Sequence, residues 1–266
     1  MVEPLVIDSY LVVDGRAQGL DLHEQRFAAS VGELLGIGAD EVRALRRRAE
    51  AVTPPQGRWF PRWEARPAGR ADQAAPTADQ AAPTADRVAP AALDVQVRPA
   101  PPRPDRAGLW ITSDPDPRRR PRHKGPDLPA LTDLRAHAET AGMTDALLRD
   151  ADGHLLETDH SALVWWRDGA LCLPDPTLPV LPSVTARRLV QAARSAGIAV
   201  RTERARWQDL AGCELWCVGA LRGADLVTQV MGEENLLVTH ASAHDRVTHW
   251  RAVLDGQVPA VSPEGS

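Results

Sequence analysis

Prolines divide this 266-residue chain into segments that can form regular structure and segments that cannot. Residues 67–92 are a Pro/Ala-rich tract containing a direct repeat, ADQAAPT at 71–77 and again at 78–84. Residues 114–126 read DPDPRRRPRHKGP. Because proline lacks a backbone donor and disrupts the interiors of helices and strands, the tract predicts a flexible surface insertion. The second stretch predicts a connector between two lobes, residues 1–115 and 120–266.

Apolar residues recur with strand and helix spacing on both sides of the connector. Short β-branched runs at residues 5–7 and 10–13 predict strands, and helical spacing at 22–35 and 41–52 predicts two helices. The same patterns predict later elements, with strands at 58–64, 93–98, 109–112, 198–202 and 213–218 and helices at 130–141, 184–196 and 244–254. The sequence therefore predicts an α/β or α+β fold of two lobes.

Charge and composition exclude several classes of partner. With 31 Lys and Arg against 36 Asp and Glu, the net charge is -5, which argues against binding to nucleic acid or an anionic membrane surface. No run approaches the roughly 18 to 20 apolar residues of a membrane helix. Three cysteines are too few for a disulfide framework, and the start MVEPLVIDSY lacks the basic region of a signal peptide. We expect a soluble, cytoplasmic protein whose partner is a small molecule.

Positive charge is concentrated in the connector, which ends in Lys124. This run has three interpretations: a nucleic-acid patch, an anion site, or a charged linker. An anion site is favoured because residues 182–185, PSVT, open a predicted helix, and free N–H groups together with the helix dipole bind phosphate there. Ser183 or Thr185 acting as a simple N-cap is the alternative, and the two roles are compatible.

Five segments resemble, in order, the motifs of the class IV (fold-type IV) aminotransferases, a family of pyridoxal-phosphate enzymes that includes branched-chain and D-amino-acid aminotransferases and aminodeoxychorismate lyase. They are DLHEQRF at 21–27, HKGPDL at 123–128, DGHLLETDHSALVWWRDGAL at 152–171, LPSVTAR at 181–187 and ELWCVGALRGADLV at 214–227. The resemblance covers almost the whole chain. It implies a two-lobed α/β fold with the cofactor cleft between the lobes, pyridoxal phosphate as cofactor, and a homodimer.

The resemblance assigns the central chemistry to Lys124 and Glu157. It implies that Lys124 forms a Schiff base with the cofactor aldehyde and, once displaced by the substrate amine, moves the proton from Cα. It places the Glu157 carboxylate beside the pyridine nitrogen, where a negative charge keeps that nitrogen protonated and the ring able to accept electrons.

Further roles follow from the same resemblance. The cofactor phosphate is assigned to the Arg26 guanidinium, to the helix start at Val184 and Thr185, and to the backbone of Gly219 and Ala220. By analogy, the substrate is expected to meet two residues from different parts of the chain, Tyr10 and Arg222.

Some positions depart from the family pattern. Ser183, Ala186, Ala162 and Ala220 stand where glycine, arginine, asparagine and threonine are usual, and Pro129 replaces a tyrosine of the branched-chain enzymes. The expected activity is transamination between an amino acid and a 2-oxo acid. A β-elimination of the aminodeoxychorismate lyase kind and a degenerate, non-catalytic member of the fold are the alternatives.

No metal site is expected. Cys213 and Cys217 lack the spacing of a zinc motif and share one face of a predicted strand, and His240 and His244 lack an acidic partner motif. Trp165 and Trp166, adjacent on a predicted strand, are expected to point to opposite faces.

Overall fold

The computed structural model describes most of the chain, at residues 5–67, 91–103, 106–232, 236–238 (backbone only) and 244–257. The repeat at 71–84 lies outside these residues. His240, the histidine four positions before His244, lies outside them as well. The chain divides into two units: Met1–Pro99 with Lys124–Pro126 form unit 1, and Ala100–His123 with Asp127–Ser266 form unit 2.

The described residues of unit 1 form two helices and two small antiparallel sheets. The helices are α1 (Leu20–Leu35) and α2 (Ala39–Val52). One sheet has the order β1 (Val6–Ser9), β5 (Arg62–Arg66), β6 (Ala92–Gln96), and the other has the order β3 (Arg16–Ala17), β2 (Val12–Val13), β4 (Arg58–Trp59).

The core of unit 1 forms where the apolar faces of both helices meet the first sheet. Phe27 and Val31 of α1, Leu45 of α2 and Trp63 of β5 are all buried in one cluster. Gly36 caps the end of α1 in a left-handed conformation (φ 68°), which turns the Ile37 N–H back to the Val31 carbonyl oxygen at 3.3 Å. Glycine adopts this conformation at little cost. The helical spacing predicted for both helices is confirmed.

In unit 2, the part of the chain that the structure describes forms one mixed sheet, three helices and a short 3-10 helix. Its strands are β7 (Arg106–Ile111), β8 (Asp145–Arg149), β9 (Leu155–Thr158), β10 (Ala162–Arg167), β11 (Ala170–Pro174), β12 (Val200–Glu203), β13 (Glu214–Gly219), β14 (Gly223–Met231) and β15 (Leu236–Val238). The helices are α3 (Leu128–Thr140), α4 (Val184–Ser195) and α5 (His244–Leu254), with the 3-10 helix at Trp207–Leu210.

Six of these strands close into a ring. Their order is β10, β13, β14, β7, β8, β9, and β9 returns to β10 through the pair Glu157 and Ala162. β7 pairs in parallel with β14 and β8, whereas the pairs β13–β14, β10–β13 and β8–β9 are antiparallel. β11 and β12 extend the sheet beyond β10.

Alternating side chains of the ring strands pack in two different cores. Trp165 lies in a cluster with Cys213 and Cys217, while its neighbour Trp166 packs against Trp250 of α5 in the cluster that also includes α4. The opposite orientations expected for the two tryptophans are thereby confirmed, as is the shared face of the two cysteines.

Two segments fall in a different unit from the predicted lobe. The strand predicted at 109–112 as the last of the first lobe is β7 of unit 2, because it pairs with β8 and β14. Lys124–Pro126 belongs to unit 1, because the Ile7 N–H donates to the Lys124 carbonyl oxygen at 2.8 Å. Within the residues described, no helix combines the length and apolar character needed to cross a membrane.

Candidate functional site

In unit 1, three charged or polar side chains form a buried cluster between β1 and α1. Arg26 donates from Nε to Asp8 Oδ2 and from Nη2 to Asp8 Oδ1, both at 2.8 Å. His23 Nδ1 lies 2.7 Å from the same Oδ1. The i,i+3 spacing puts His23 and Arg26 on one face of the helix. Burial raises the pKa of Asp8, but Arg26 and His23 outweigh this effect and hold the pKa well below its ordinary value.

The Lys124 backbone is attached to the same strand. Its carbonyl oxygen accepts the Ile7 N–H, one residue before Asp8. Gly125 follows with φ 129°, and a Cβ there would lie 2.6 Å from the Leu5 carbonyl oxygen. Only glycine therefore allows the chain after Lys124 to approach β1 this closely. β1 thus anchors both Lys124, through the backbone, and Arg26, through Asp8.

In unit 2, Glu157 is a buried carboxylate on β9. Its Oε1 atom accepts a hydrogen bond from Arg118 Nη1 at 2.7 Å and another from the Leu181 N–H at 2.7 Å. Arg118 also pairs with Asp116, with Nη2 2.8 Å from Oδ2. Burial lowers the pKa of Arg118, but the carboxylates of Glu157 and Asp116 outweigh burial and raise it. The guanidinium next to Glu157 therefore carries its charge.

The start of helix α4 lies next to Glu157, because Leu181 bonds to that carboxylate three residues before the helix begins. Ser183 is the N-cap, and its Oγ accepts the Ala186 N–H at 3.2 Å. Val184 and Thr185 are buried in the first turn, where backbone N–H groups have no partner within the helix and the helix dipole favours an anion. Of the two N-cap candidates, the structure selects Ser183.

Gly219 is the last residue of β13, and Ala220 begins the turn to β14. A Cβ added to Gly219 would lie 3.4 Å from the Ser161 Oγ, so this turn closely approaches the chain that follows Glu157 on β9. Unit 2 therefore brings together Glu157, the first turn of α4 and the Gly219 turn. Lys124, Arg26 and Tyr10 belong to unit 1.

The two residues predicted to meet substrate are both held inside their units. Tyr10 is 1% exposed and packs on Trp63, with ring centroids 5.1 Å apart; burial raises its pKa. Arg222 is 7% exposed, and its Nη1 lies 3.2 Å from Asp145 and 3.4 Å from Asp225. Both side chains therefore already contact partners in their own units. The substrate roles of Tyr10 and Arg222 stay predictions.

A buried charge cluster surrounds Arg222. Arg251 Nη2 lies 3.0 Å from Asp225 Oδ1, and burial raises the pKa of Asp225 to about 6 although Arg222 and Arg251 act in the opposite direction. His160 lies between Asp159 and Asp145, with Nδ1 and Nε2 at 2.7 and 3.1 Å from their oxygens.

Ligand atoms of Asp145, Asp159 and His160 lie within 4.8 Å of one another. Arg222 already contacts Asp145 and His160 of this group, so we assign no metal to it. Sequence patterns did not predict this cluster, nor the roles of Asp8 and Arg118. The signal that could have found the cluster was the placement of Asp145 and Asp225 within otherwise apolar strands.

A family model described as "Amino-transferase class IV" matches residues 5–230. The chain belongs to this family. No curated protein sequence matches this class IV aminotransferase family member.

Solved structures share the fold of this family member over nearly its whole length. A hypothetical aminotransferase from Mycobacterium tuberculosis in its PLP-bound form has a TM-score of 0.75 at 22% identity, covering 95% of this chain and 88% of that one. Its α-ketoglutarate and PMP bound form has a TM-score of 0.74 at 20% identity, covering 96% and 89%.

Two further structures represent different activities. A branched-chain aminotransferase from the archaeon Thermoproteus uzoniensis, solved with norvaline, has a TM-score of 0.75 at 15% identity, covering 96% of this chain and 89% of that one. A putative 4-amino-4-deoxychorismate lyase from Legionella pneumophila has a TM-score of 0.71 at 15% identity, covering 95% and 91%. The predicted fold-type IV class is confirmed.

Proposed function

We propose that this class IV aminotransferase family member uses pyridoxal phosphate to move an amino group from an amino acid to a 2-oxo acid. The observation that carries the proposal is the buried Glu157 carboxylate, paired with Arg118 and bonded to the backbone just before α4. The PLP-bound Mycobacterium tuberculosis relative supports the choice of cofactor.

The residues of unit 2 fit such a cofactor. A carboxylate at a ring nitrogen favours the protonated ring, and Glu157 supplies a buried one. The first turn of α4 offers N–H groups and a dipole to a phosphate. At Gly219, an added Cβ would lie 3.4 Å from the Ser161 Oγ, so glycine keeps this position free of a side chain. When bound, the cofactor supplies an electron sink for the pair released at the substrate Cα.

The residues of this chain then have separate tasks. Lys124 Nζ would hold the cofactor covalently and, once released, would carry the proton from the substrate Cα to C4′ of the cofactor. Glu157 holds the proton at the ring nitrogen. Val184, Thr185 and Arg26 bind the phosphate through N–H groups and a guanidinium.

The partners are an amino donor and a 2-oxo acid acceptor. Relatives solved with α-ketoglutarate and with norvaline support these two classes of small molecule. The donor leaves as a 2-oxo acid and the acceptor leaves as an amino acid, so amino group and carbonyl oxygen are exchanged. A homodimer in the cytoplasm is part of the proposal.

A lyase activity is the second candidate. The Legionella pneumophila structure, named as a putative 4-amino-4-deoxychorismate lyase, covers 95% of this chain. β-Elimination needs the same lysine, carboxylate and phosphate contacts, and differs in expelling a leaving group from the substrate instead of transferring nitrogen.

The experiment that tests the proposal has two parts. The protein is mixed with pyridoxal phosphate, reduced with borohydride and digested; we expect the reduced cofactor on the peptide that contains Lys124, and none in Lys124→Ala. Amino donors are then offered with pyruvate or 2-oxoglutarate. Formation of a new amino acid supports transamination, whereas pyruvate release from aminodeoxychorismate indicates the lyase. Absence of any attached cofactor would establish the non-catalytic alternative.

A further inference from the structure

One arginine of the connector differs from its neighbours in being buried. The side chain of Arg118 is 5% exposed, whereas Arg119, Arg120 and Arg122 are exposed. Desolvating a guanidinium is costly unless its donors and its charge are matched. The burial of this one cation therefore needs a structural explanation.

The explanation is a set of acceptors from three different segments. Arg118 Nη1 donates to Glu157 Oε1 at 2.7 Å, Nε donates to Asp116 Oδ1 at 3.0 Å, and Nη2 donates to Asp116 Oδ2 at 2.8 Å. Nη2 also donates to the Pro179 carbonyl oxygen at 3.2 Å. The planar guanidinium is thereby fixed in orientation.

The contact between Arg118 and Glu157 also favours one protonation state of the Glu157 carboxyl. A carboxylate at this depth, without a cation, favours its neutral form, and an opposite charge in contact favours the ionised form. The Leu181 N–H adds a second donor to the same oxygen. Arg118 and Leu181 together fix the rotation of the carboxylate as well as its charge.

We propose that Arg118 is a positioning residue that keeps Glu157 ionised and oriented toward the cofactor ring nitrogen. This inference rests on the proposed function. It gives the connector a chemical task besides joining two segments: through Glu157, the Arg118 charge sets how readily the ring nitrogen gains and loses its proton.

The test compares three variants by the pH dependence of the visible absorption of bound pyridoxal phosphate without substrate. Arg118→Gln keeps hydrogen-bonding capacity and removes the charge, and Arg118→Lys keeps the charge. Arg122→Gln is the matched control, because Arg122 is exposed and donates to the carbonyl oxygens of Pro176 and Leu178.

We expect the change in visible absorption of bound pyridoxal phosphate at acidic pH to have its midpoint about one to three pH units higher in Arg118→Gln than in the wild type. Arg118→Lys should recover most of this shift, and Arg122→Gln should show none. In a Glu157→Gln background, Arg118→Gln should add no further shift. This double variant removes the Glu157 charge together with the Arg118 charge, which keeps the comparison possible if the single variant folds poorly.

Two results would overturn the inference in distinguishable ways. If Glu157→Gln alters the spectral transition and Arg118→Gln does not, Arg118 has no role in setting the carboxylate, while the proposed function stands. If the wild type binds the cofactor at Lys124 and Glu157→Gln leaves the transition unchanged, the assignment of Glu157 fails, and the role of Arg118 fails with it.

Discussion

Arg26 and Asp8 form a two-point ion pair across the contact between α1 and β1, with both donor–acceptor distances at 2.8 Å. Asp8 is 1% exposed, so its charge depends on Arg26 and His23. The histidine and the arginine of the helix segment DLHEQRF thus both contact this one carboxylate.

Asp8→Asn should destabilise unit 1 by about 3 to 5 kcal/mol at neutral pH, because it breaks an ion pair in which the Asp8 carboxylate is almost wholly buried. The folded-state pKa of Asp8 is depressed below its ordinary value of 3.8. Its stabilisation is therefore present above pH 3.8 and is lost as the pH falls through the lower, folded-state value.

Urea unfolding of the wild type and Asp8→Asn at several pH values measures this difference. Asp40→Asn serves as the control, since Asp40 is exposed in its pair with Arg43 and such pairs contribute at most about 1 kcal/mol. Equal destabilisation by the two variants at pH 7 would argue against a special role for Asp8.

Gly125→Ala should unfold unit 1 at a markedly lower temperature than the wild type. The added methyl group would lie 2.6 Å from the Leu5 carbonyl oxygen, so β1 or the Lys124 backbone must move. Gly169→Ala is the matched control: Gly169 also has a positive φ, of 72°, but nothing lies within 4 Å of its added Cβ.

The control gives the cost of an alanine at a left-handed backbone position without a close contact, about 1 to 2 kcal/mol. Thermal unfolding of both variants gives the comparison. A Gly125→Ala protein as stable as Gly169→Ala would show that the close approach at β1 is unimportant.

Asp225→Asn should change how stability depends on pH. The pKa of Asp225 is raised from 3.8 to about 6 by burial, so the folded protein binds its proton more tightly than the unfolded chain. Between about pH 4 and pH 6 this group makes the wild type lose stability as the pH rises, by up to about 3 kcal/mol.

The stability of Asp225→Asn relative to the wild type should therefore increase with pH over this window and level off above it. Chemical unfolding at half-unit pH steps measures it, with the exposed Asp245→Asn as a control. Parallel curves for wild type and Asp225→Asn would contradict the assignment.

Cys172 should resist alkylation in the folded protein. It is fully buried, and burial, with Glu203 next to it, raises its pKa to about 11, so little thiolate is present at pH 8. Iodoacetamide labelling followed by peptide mapping should modify this residue only in urea. Labelling at the rate of a free thiol without denaturant would show that the strand opens.

Local patterns in the sequence predicted the elements but not their long-range partners. Helix α5 was predicted at residues 244–254 and begins and ends there. The strand predicted at 58–64 is interrupted, because Pro61 separates β4 from β5. The placement of β7 depended on pairing with strands much later in the chain, which periodicity does not report.

Sequence patterns likewise identified some residues of the candidate site and missed others. Motifs pointed to Glu157, Arg26 and Lys124, whereas Arg118 was one member of the connector's basic run and had no separate role. Its burial depends on a carboxylate 39 residues away, and charge patterning along a sequence carries no information about such a partner. Asp8 was not predicted for the same reason, because its partners His23 and Arg26 lie 15 and 18 positions away.

The ring of strands in unit 2 closes at a single residue pair, Glu157 opposite Ala162. A closed ring has a fixed circumference, so a strand cannot slide without breaking hydrogen bonds all the way round. The carboxylate at that seam is consequently held by the hydrogen-bond register of six strands, and its location is as rigid as the ring itself.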